Sequence, residues 1–220
     1  PISPTPLGER RDARVERALG RVDVGVLVER DHVIFGPDEI RTKTGGRYSV
    51  YGPYRKAWWR AWHDAPRPGA SRVRLPSRPI PAAEAKRALG PAFASPTERA
   101  PRKTAALRPE RIELPPAGEA AAARRLARFL SGPATRYAAD RDRPAVDGTS
   151  RLSPHLRFGT ISPRRCVAEA LAAVKADPAA RAGIEKWVDE LVWREFYHAV
   201  LAHSPHVLVR SFRPEYDALA

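Results

Sequence analysis

The sequence contains no methionine, not even at its first position, and a single cysteine, Cys166. A lone cysteine has no intramolecular partner, which excludes a disulfide framework and makes the reducing cytoplasm the expected compartment. The missing initiator leads us to expect an internal piece of a longer product. No run of 18 apolar residues occurs, which excludes a membrane-spanning helix. The opening Pro1-Ile2-Ser3-Pro4 lacks the basic, apolar, small-residue order of a signal peptide. Acidic residues are also scarce: 25 Asp and Glu face 39 Lys and Arg, a formal net charge of +14 over 220 residues. Such a surplus suits a polyanionic partner, because each phosphate neutralised releases a counterion. An excess of Arg over Lys, with abundant Ala and Pro, is equally what a GC-rich genome produces, so charge alone leaves nucleic-acid binding open. Hydrophobic residues make up 43%. That is enough for a packed core, in a length that allows one large domain or two small ones.

The beginning of the chain has mixed character. Residues 8–19 carry Val15 and Leu19 at helical spacing among charges, the pattern of an amphipathic surface helix. Val22, Val24, Val26 and Val28 then alternate strictly, which predicts a strand, and Val33-Ile34-Phe35 is a second apolar run. Helix followed by strand is the tail of an α/β unit, with too few strands to build a sheet alone. After a glycine-bearing turn at Thr42–Tyr48 comes an aromatic, basic segment with Tyr51, Tyr54, Trp58, Trp59 and Trp62. Aromatics interleaved with cations can stack on bases. Trp58 and Trp62, four residues apart, also read as the buried stripe of a short helix, the commoner use of this spacing. Residues 63–116 hold eleven of the 23 prolines. That density predicts an extended connector between two domains, with at most a short helix near Ala82–Leu89.

The last hundred residues read as helical. Gly118–Leu130 presents Leu126, Phe129 and Leu130 on one side and stops at Gly132-Pro133. Ser162-Pro163 is an N-cap followed by proline at the first helical position, and Val167, Leu171 and Val174 line one face of the helix it opens. Asp177-Pro178 opens the next helix in the same way, with its end expected near His203.

Two stretches carry candidate chemistry. The loop Asp147-Gly148-Thr149-Ser150-Arg151-Leu152-Ser153-Pro154 offers backbone N–H groups, hydroxyls and a guanidinium fork, a donor set suited to phosphate oxygens. The same residues also suit an ordinary helix N-cap. In the helix after Asp177, Trp187, Glu190, Trp193 and Arg194 fall within an arc of about 120° at ~100° per residue. Ile184, Val188, Leu191, Val192, Phe196 and Val200 occupy most other directions, so the helix is expected to be buried. A carboxylate and a guanidinium facing inward with two indoles form either a Glu190–Arg194 ion pair or the wall of a pocket.

Several segments, taken in order, resemble the photolyase/cryptochrome family. They are Arg141-Asp142 with Pro144, the loop 147–154, Phe158-Gly159, Ile161-Ser162-Pro163-Arg164, and Glu190-Leu191-Val192-Trp193-Arg194-Glu195-Phe196-Tyr197. Thr42-Lys43, Tyr48, Val50-Tyr51 and Pro53-Tyr54 through Trp58 are similar to the segment closing that family's first domain. The resemblance implies the end of an α/β Rossmann-like antenna domain at 1–62, an interdomain linker at 63–116, and the first half of an all-helical FAD-binding domain at 117–220. It implies FAD as cofactor, with a folate or deazaflavin antenna chromophore in the complete protein. Carried over by position, Tyr137, Thr149, Ser150, Arg151, Leu152 and Ser153 resemble groups that grip the FAD phosphates and ribityl chain. Trp187 and Arg194 match flavin-pocket positions. Glu190 corresponds to an acid that hydrogen-bonds the damaged base, and Trp193 to an indole that stacks on a flipped-out pyrimidine dimer. The implied activity is light-driven splitting of cyclobutane pyrimidine dimers in DNA, by a monomer with no membrane partner. The segment alone is expected to be inactive and to retain little FAD. A cryptochrome-type photoreceptor and an inactive truncated remnant are the alternatives, and the presence of both Glu190 and Trp193 favours repair.

Overall fold

The computed structural model describes residues 6–21, 25–26, 32–66, 83, 87 and 114–219. Among these the secondary structure is helical, and there is no strand. The helices are α1 (Pro6–Gly20), α2 (Tyr51–Asp64), α3 (Glu119–Leu130), α4 (Tyr137–Asp140), α5 (Ser153–Arg157), α6 (Pro163–Ala176) and α7 (Arg181–His203). Short 3₁₀ turns precede α4 and α7 and follow α7.

Of the expected strand, Val22, Val24 and Val28 lie outside the described residues, and Val26 is exposed and without regular structure. The short helix expected near Ala82–Leu89 also lies outside them, apart from the helical Ala83 and Arg87. The Val33-Ile34-Phe35 run is buried and is not a strand. Its amides turn to a side chain instead of a neighbouring strand: Ile34 N–H and Phe35 N–H both donate to the Glu195 carboxylate.

The described residues among 6–66 and 117–219 belong to one compact unit. In this unit α7 is the central member, packed against α2, α4 and α6 and the turn Pro133–Arg136. Helix periodicity explains what it buries. Ile184, Val188 and Val192 are fully enclosed, as are Val167 and Cys166 from α6 and Leu126 from α3. Burial pushes the Cys166 thiol up to about 12, so it is an inert core residue. From α2, Trp58 and Trp62 are buried and stacked with ring centroids 5.8 Å apart, the core use of that spacing.

Helix ends follow local chemistry. Ser162 Oγ accepts from Arg164 N–H at 3.2 Å and caps α6. Asp177 Oδ1 accepts from Ala179 N–H at 3.0 Å and caps the 3₁₀ turn that leads into α7, which ends at His203. Near its start, α7 lies directly on the turn Pro133–Arg136. A Cβ on Gly183 would sit 2.1 Å from the Ala134 carbonyl oxygen, so only glycine permits this approach.

Candidate functional site

A cavity of about 580 Å³ opens beside α7. Helix α7 contributes Trp187, Glu190, Leu191, Arg194 and His198, which recur at the three- and four-residue spacing of one helix face. The 147–154 loop and α5 contribute Thr149, Ser150, Arg151, Ser153, Leu156 and Arg157, α4 contributes Tyr137, and the segment before α2 contributes His32. The volume falls in the range of about 300–1,000 Å³ usual for small-molecule sites.

The loop adopts its path for identifiable reasons. Gly148 is pressed against the buried Asp140, where a Cβ would lie 2.5 Å from the Asp140 Cβ. Arg151 takes a positive φ of 50°, uncommon for a residue with a side chain, and its guanidinium pairs with Asp147 at 2.9 Å. Ser150 Oγ accepts from the Trp187 indole N–H at 3.2 Å, which ties the loop to α7 and fixes the indole on the cavity wall. The N-cap of α5 is Leu152, with no side-chain cap. Ser150 Oγ accepts from Leu152 N–H at 3.4 Å at the start of that helix, and Thr149 and Ser150 both border the cavity.

The electrostatics of the wall are lopsided. Arg151, Arg157, Arg194, His32 and His198 border the cavity, against one carboxylate, Glu190. Burial lowers the Arg194 pKa from its ordinary value, and its guanidinium donates to the His32 carbonyl oxygen. Burial pushes His198 down to about 4, with the positive charges of Arg194, His32 and Arg157 acting the same way. His198 is therefore neutral near pH 7. Burial also raises the Tyr137 hydroxyl pKa, and the Arg141 guanidinium lies 5.7 Å from the centre of that ring.

Of the two readings of this face, the Glu190–Arg194 ion pair is not made. Glu190 instead pairs with Arg141, and Lys186 Nζ stands 3.9 Å away. The bond to Glu190 raises the Arg141 pKa. One turn along α7, Arg194 reaches the His32 backbone, which leaves Glu190 to a partner from outside the helix.

Of the ten candidate residues, the structure brings Tyr137, Thr149, Ser150, Arg151, Ser153, Trp187, Glu190 and Arg194 to this one cavity. Leu152 and Trp193 are elsewhere. The Leu152 side chain is 1% exposed and belongs to the core. Trp193 stands at the far edge of the 120° arc and turns away from the cavity. It stacks on Tyr51 with centroids 3.5 Å apart, while Tyr197 lies against it at 5.6 Å and an angle of 22°. The lining residues that sequence reasoning missed are His32, Leu156, Arg157, Leu191 and His198, together with Arg141 behind Glu190. Helical spacing from Ser153 to Arg157 and from Arg194 to His198 was a signal that could have found two of them.

Comparison with known proteins points to one family. The sequence profile of the DNA photolyase family matches residues 2–71. The chain is 36% identical to the deoxyribodipyrimidine photo-lyase of Halobacterium salinarum, over 94% of this chain and 41% of that protein. It is 34% identical to the Escherichia coli enzyme of the same name, over 89% of this chain and 38% of that one, and 32% identical to the Neurospora crassa enzyme, over 94% and 35%. The fold matches the crystal structure of a bacterial class III photolyase from Agrobacterium tumefaciens with a TM-score of 0.70 and 25% identity, covering 99% of this chain and 43% of that one. The chain thus spans less than half the length of these relatives.

Proposed function

The chain belongs to the DNA photolyase family, and from that premise we propose that it forms part of the flavin site of an enzyme that uses light to split cyclobutane pyrimidine dimers in DNA. The observation that carries this reading is the single cavity shared by the loop hydroxyls, Arg151, Trp187, Glu190 and Arg194. We assign residues 1–62 to the end of an α/β antenna domain, 63–116 to the linker and 117–220 to the FAD-binding domain.

The lining suits FAD. Hydroxyls at Thr149, Ser150 and Ser153 and guanidiniums at Arg151 and Arg157 are donors for a diphosphate. Trp187, Tyr137, Leu156 and Leu191 offer apolar and aromatic surface for a flat ring system. Bound in its reduced form, FAD would supply the electron that light sends to the lesion. This chain's residues bind and orient. Arg194, held by the His32 carbonyl, presents a fixed cation to the ligand. Glu190 is positioned by Arg141, so negative charge on a damaged base reaching the pair would be stabilised by the Arg141 guanidinium as donor and by the Glu190 side chain in its protonated form as a second donor.

One observation favours the photoreceptor reading. Trp193 is already stacked with both Tyr51 and Tyr197. Under the repair reading, Tyr197, which is 62% exposed, gives up its place to the lesion. A flavin titration of the full-length gene product tests the site. Replacing Ser150→Ala and Arg151→Ala together is expected to weaken FAD binding at least tenfold with unchanged helical content. If the loop serves only as a helix cap, the same double change lowers stability by about 1 kcal/mol and leaves flavin affinity intact.

A further inference from the structure

Beside its cavity face α7 carries a carboxylate that the proposed function does not use. Glu195 is 4% exposed. Its Oε2 accepts from Ile34 N–H at 2.5 Å, and its Oε1 accepts from Phe35 N–H at 3.1 Å and from the Trp58 indole N–H at 2.7 Å. The preceding residue, Arg194, donates to the His32 carbonyl. Two consecutive side chains therefore hold one short stretch of backbone, the cation by its carbonyl and the anion by its amides. That stretch places His32 on the cavity wall, and its other holder, Arg194, lines the same wall. The arrangement is unusual in its charge balance. Three N–H dipoles converge on the carboxylate, and among the described residues no cation forms a salt bridge with it.

We propose that Glu195 is a positioning residue for the flavin cavity: by gripping residues 34–35 it fixes His32 and Arg194 on the wall, and its protonation state sets how tightly the cavity holds its ligand. This rests on the flavin reading of the cavity. The sign follows from linkage. In the closed arrangement burial pushes the carboxyl up to about 7, although the N–H donors and Arg194 pull it down. Released into water it returns to an ordinary value of 4.5. The closed clasp therefore binds a proton more tightly than the open one. Protonation favours closure, and ionisation as the pH rises through about 7 favours release. The charged and titratable groups that act on it are Arg194 on α7 and the Tyr54 hydroxyl on α2, and Arg194 in turn interacts with His32 and His198. His198 is neutral throughout this pH range and Tyr54 stays protonated, so neither can produce the change.

The test is FAD affinity of the full-length gene product, measured by fluorescence titration from about pH 6 to 8.5. Wild type is expected to lose affinity as pH rises, by about fivefold or more, the lower end of ordinary coupling between sites. Glu195→Gln, which cannot ionise, should lose most of that slope while keeping its helical signal. Trp58→Phe removes one donor to the carboxylate but keeps the ring packing, and should move the midpoint to higher pH. That variant also serves if Glu195→Gln fails to fold. It separates Glu195 from His32, whose titration has no reason to respond to Trp58. Binding with a slope unchanged in both variants overturns the inference and leaves the flavin reading standing. No FAD binding at any pH overturns both.

Discussion

At the scale of single residues, two titratable groups on α7 pull stability in opposite directions as pH changes. His198 is held near 4, below its ordinary 6.5, so it contributes stability above about pH 6.5 that is lost as pH falls towards 4. Glu195 is held near 7, above its ordinary 4.5, so its contribution is full below 4.5 and is lost as pH rises through 7. At about 1.4 kcal/mol per pKa unit each amounts to roughly 3 kcal/mol, and between about pH 4.5 and 6.5 the two nearly cancel. His198→Asn removes one side of that balance. The variant is expected to melt at progressively higher temperature as pH is lowered from about 7 to 5, relative to wild type over the same range. Parallel melting curves for the two proteins would contradict this assignment.

The residue scale is also where the sequence was least legible. Glu195 lies within a segment used for recognition, yet its spacing carries no sign of its partners, which are 137 to 161 residues away along the chain. His32 was missed for the same reason, being 162 residues from Arg194. The Glu190–Arg194 pair was one of two local readings, and it is not made because Arg141 and the His32 carbonyl supply partners from outside the helix.

At the scale of elements, α7 organises the site because each of its faces has a different neighbour. One face borders the cavity. Others grip α2, where Asp189 pairs with Arg55 at 2.7 Å and accepts from the Trp59 indole at 2.9 Å, while Glu195 holds Trp58. Its register against the turn Pro133–Arg136 depends on Gly183. Gly183→Val would force the helix off the Ala134 and Thr135 carbonyls and carry Trp187, one turn further on, away from Ser150. We expect a loss of about 1–3 kcal/mol, the usual cost of overpacking, together with weaker flavin binding. Denaturant unfolding alongside flavin titration checks it, and wild-type behaviour in both would contradict the packing described here.

Elements were largely legible, because caps and periodicity act over a few residues. Ser162-Pro163, Asp177-Pro178 and the stop at Gly132-Pro133 marked helix boundaries that the structure shares to within a residue or two. Val33-Ile34-Phe35 was legible as an apolar run but not in its conformation, since a buried carboxylate replaces the neighbouring strand that such a run ordinarily pairs with.

At the scale of the whole molecule, the cavity gathers residues from four separated stretches: His32, Tyr137, the loop with α5, and α7. No single stretch announces a cofactor site. Their order along the chain carried the family resemblance, and folding brings them to one wall. If the wall serves repair, Glu190 acts on charge that exists only after electron transfer, so its loss is felt in the reaction more than in binding. Trp193 acts earlier, and Trp193→Ala should weaken binding to dimer-containing DNA by roughly 1–3 kcal/mol, the worth of one base stack. The most direct measurement is light-driven loss of cyclobutane dimers from DNA at saturating full-length gene product, with wild type beside Glu190→Ala. The account predicts repair by wild type, and in the variant normal flavin content with a much lower yield per absorbed photon. No repair by wild type, or equal yield from Glu190→Ala, would contradict it.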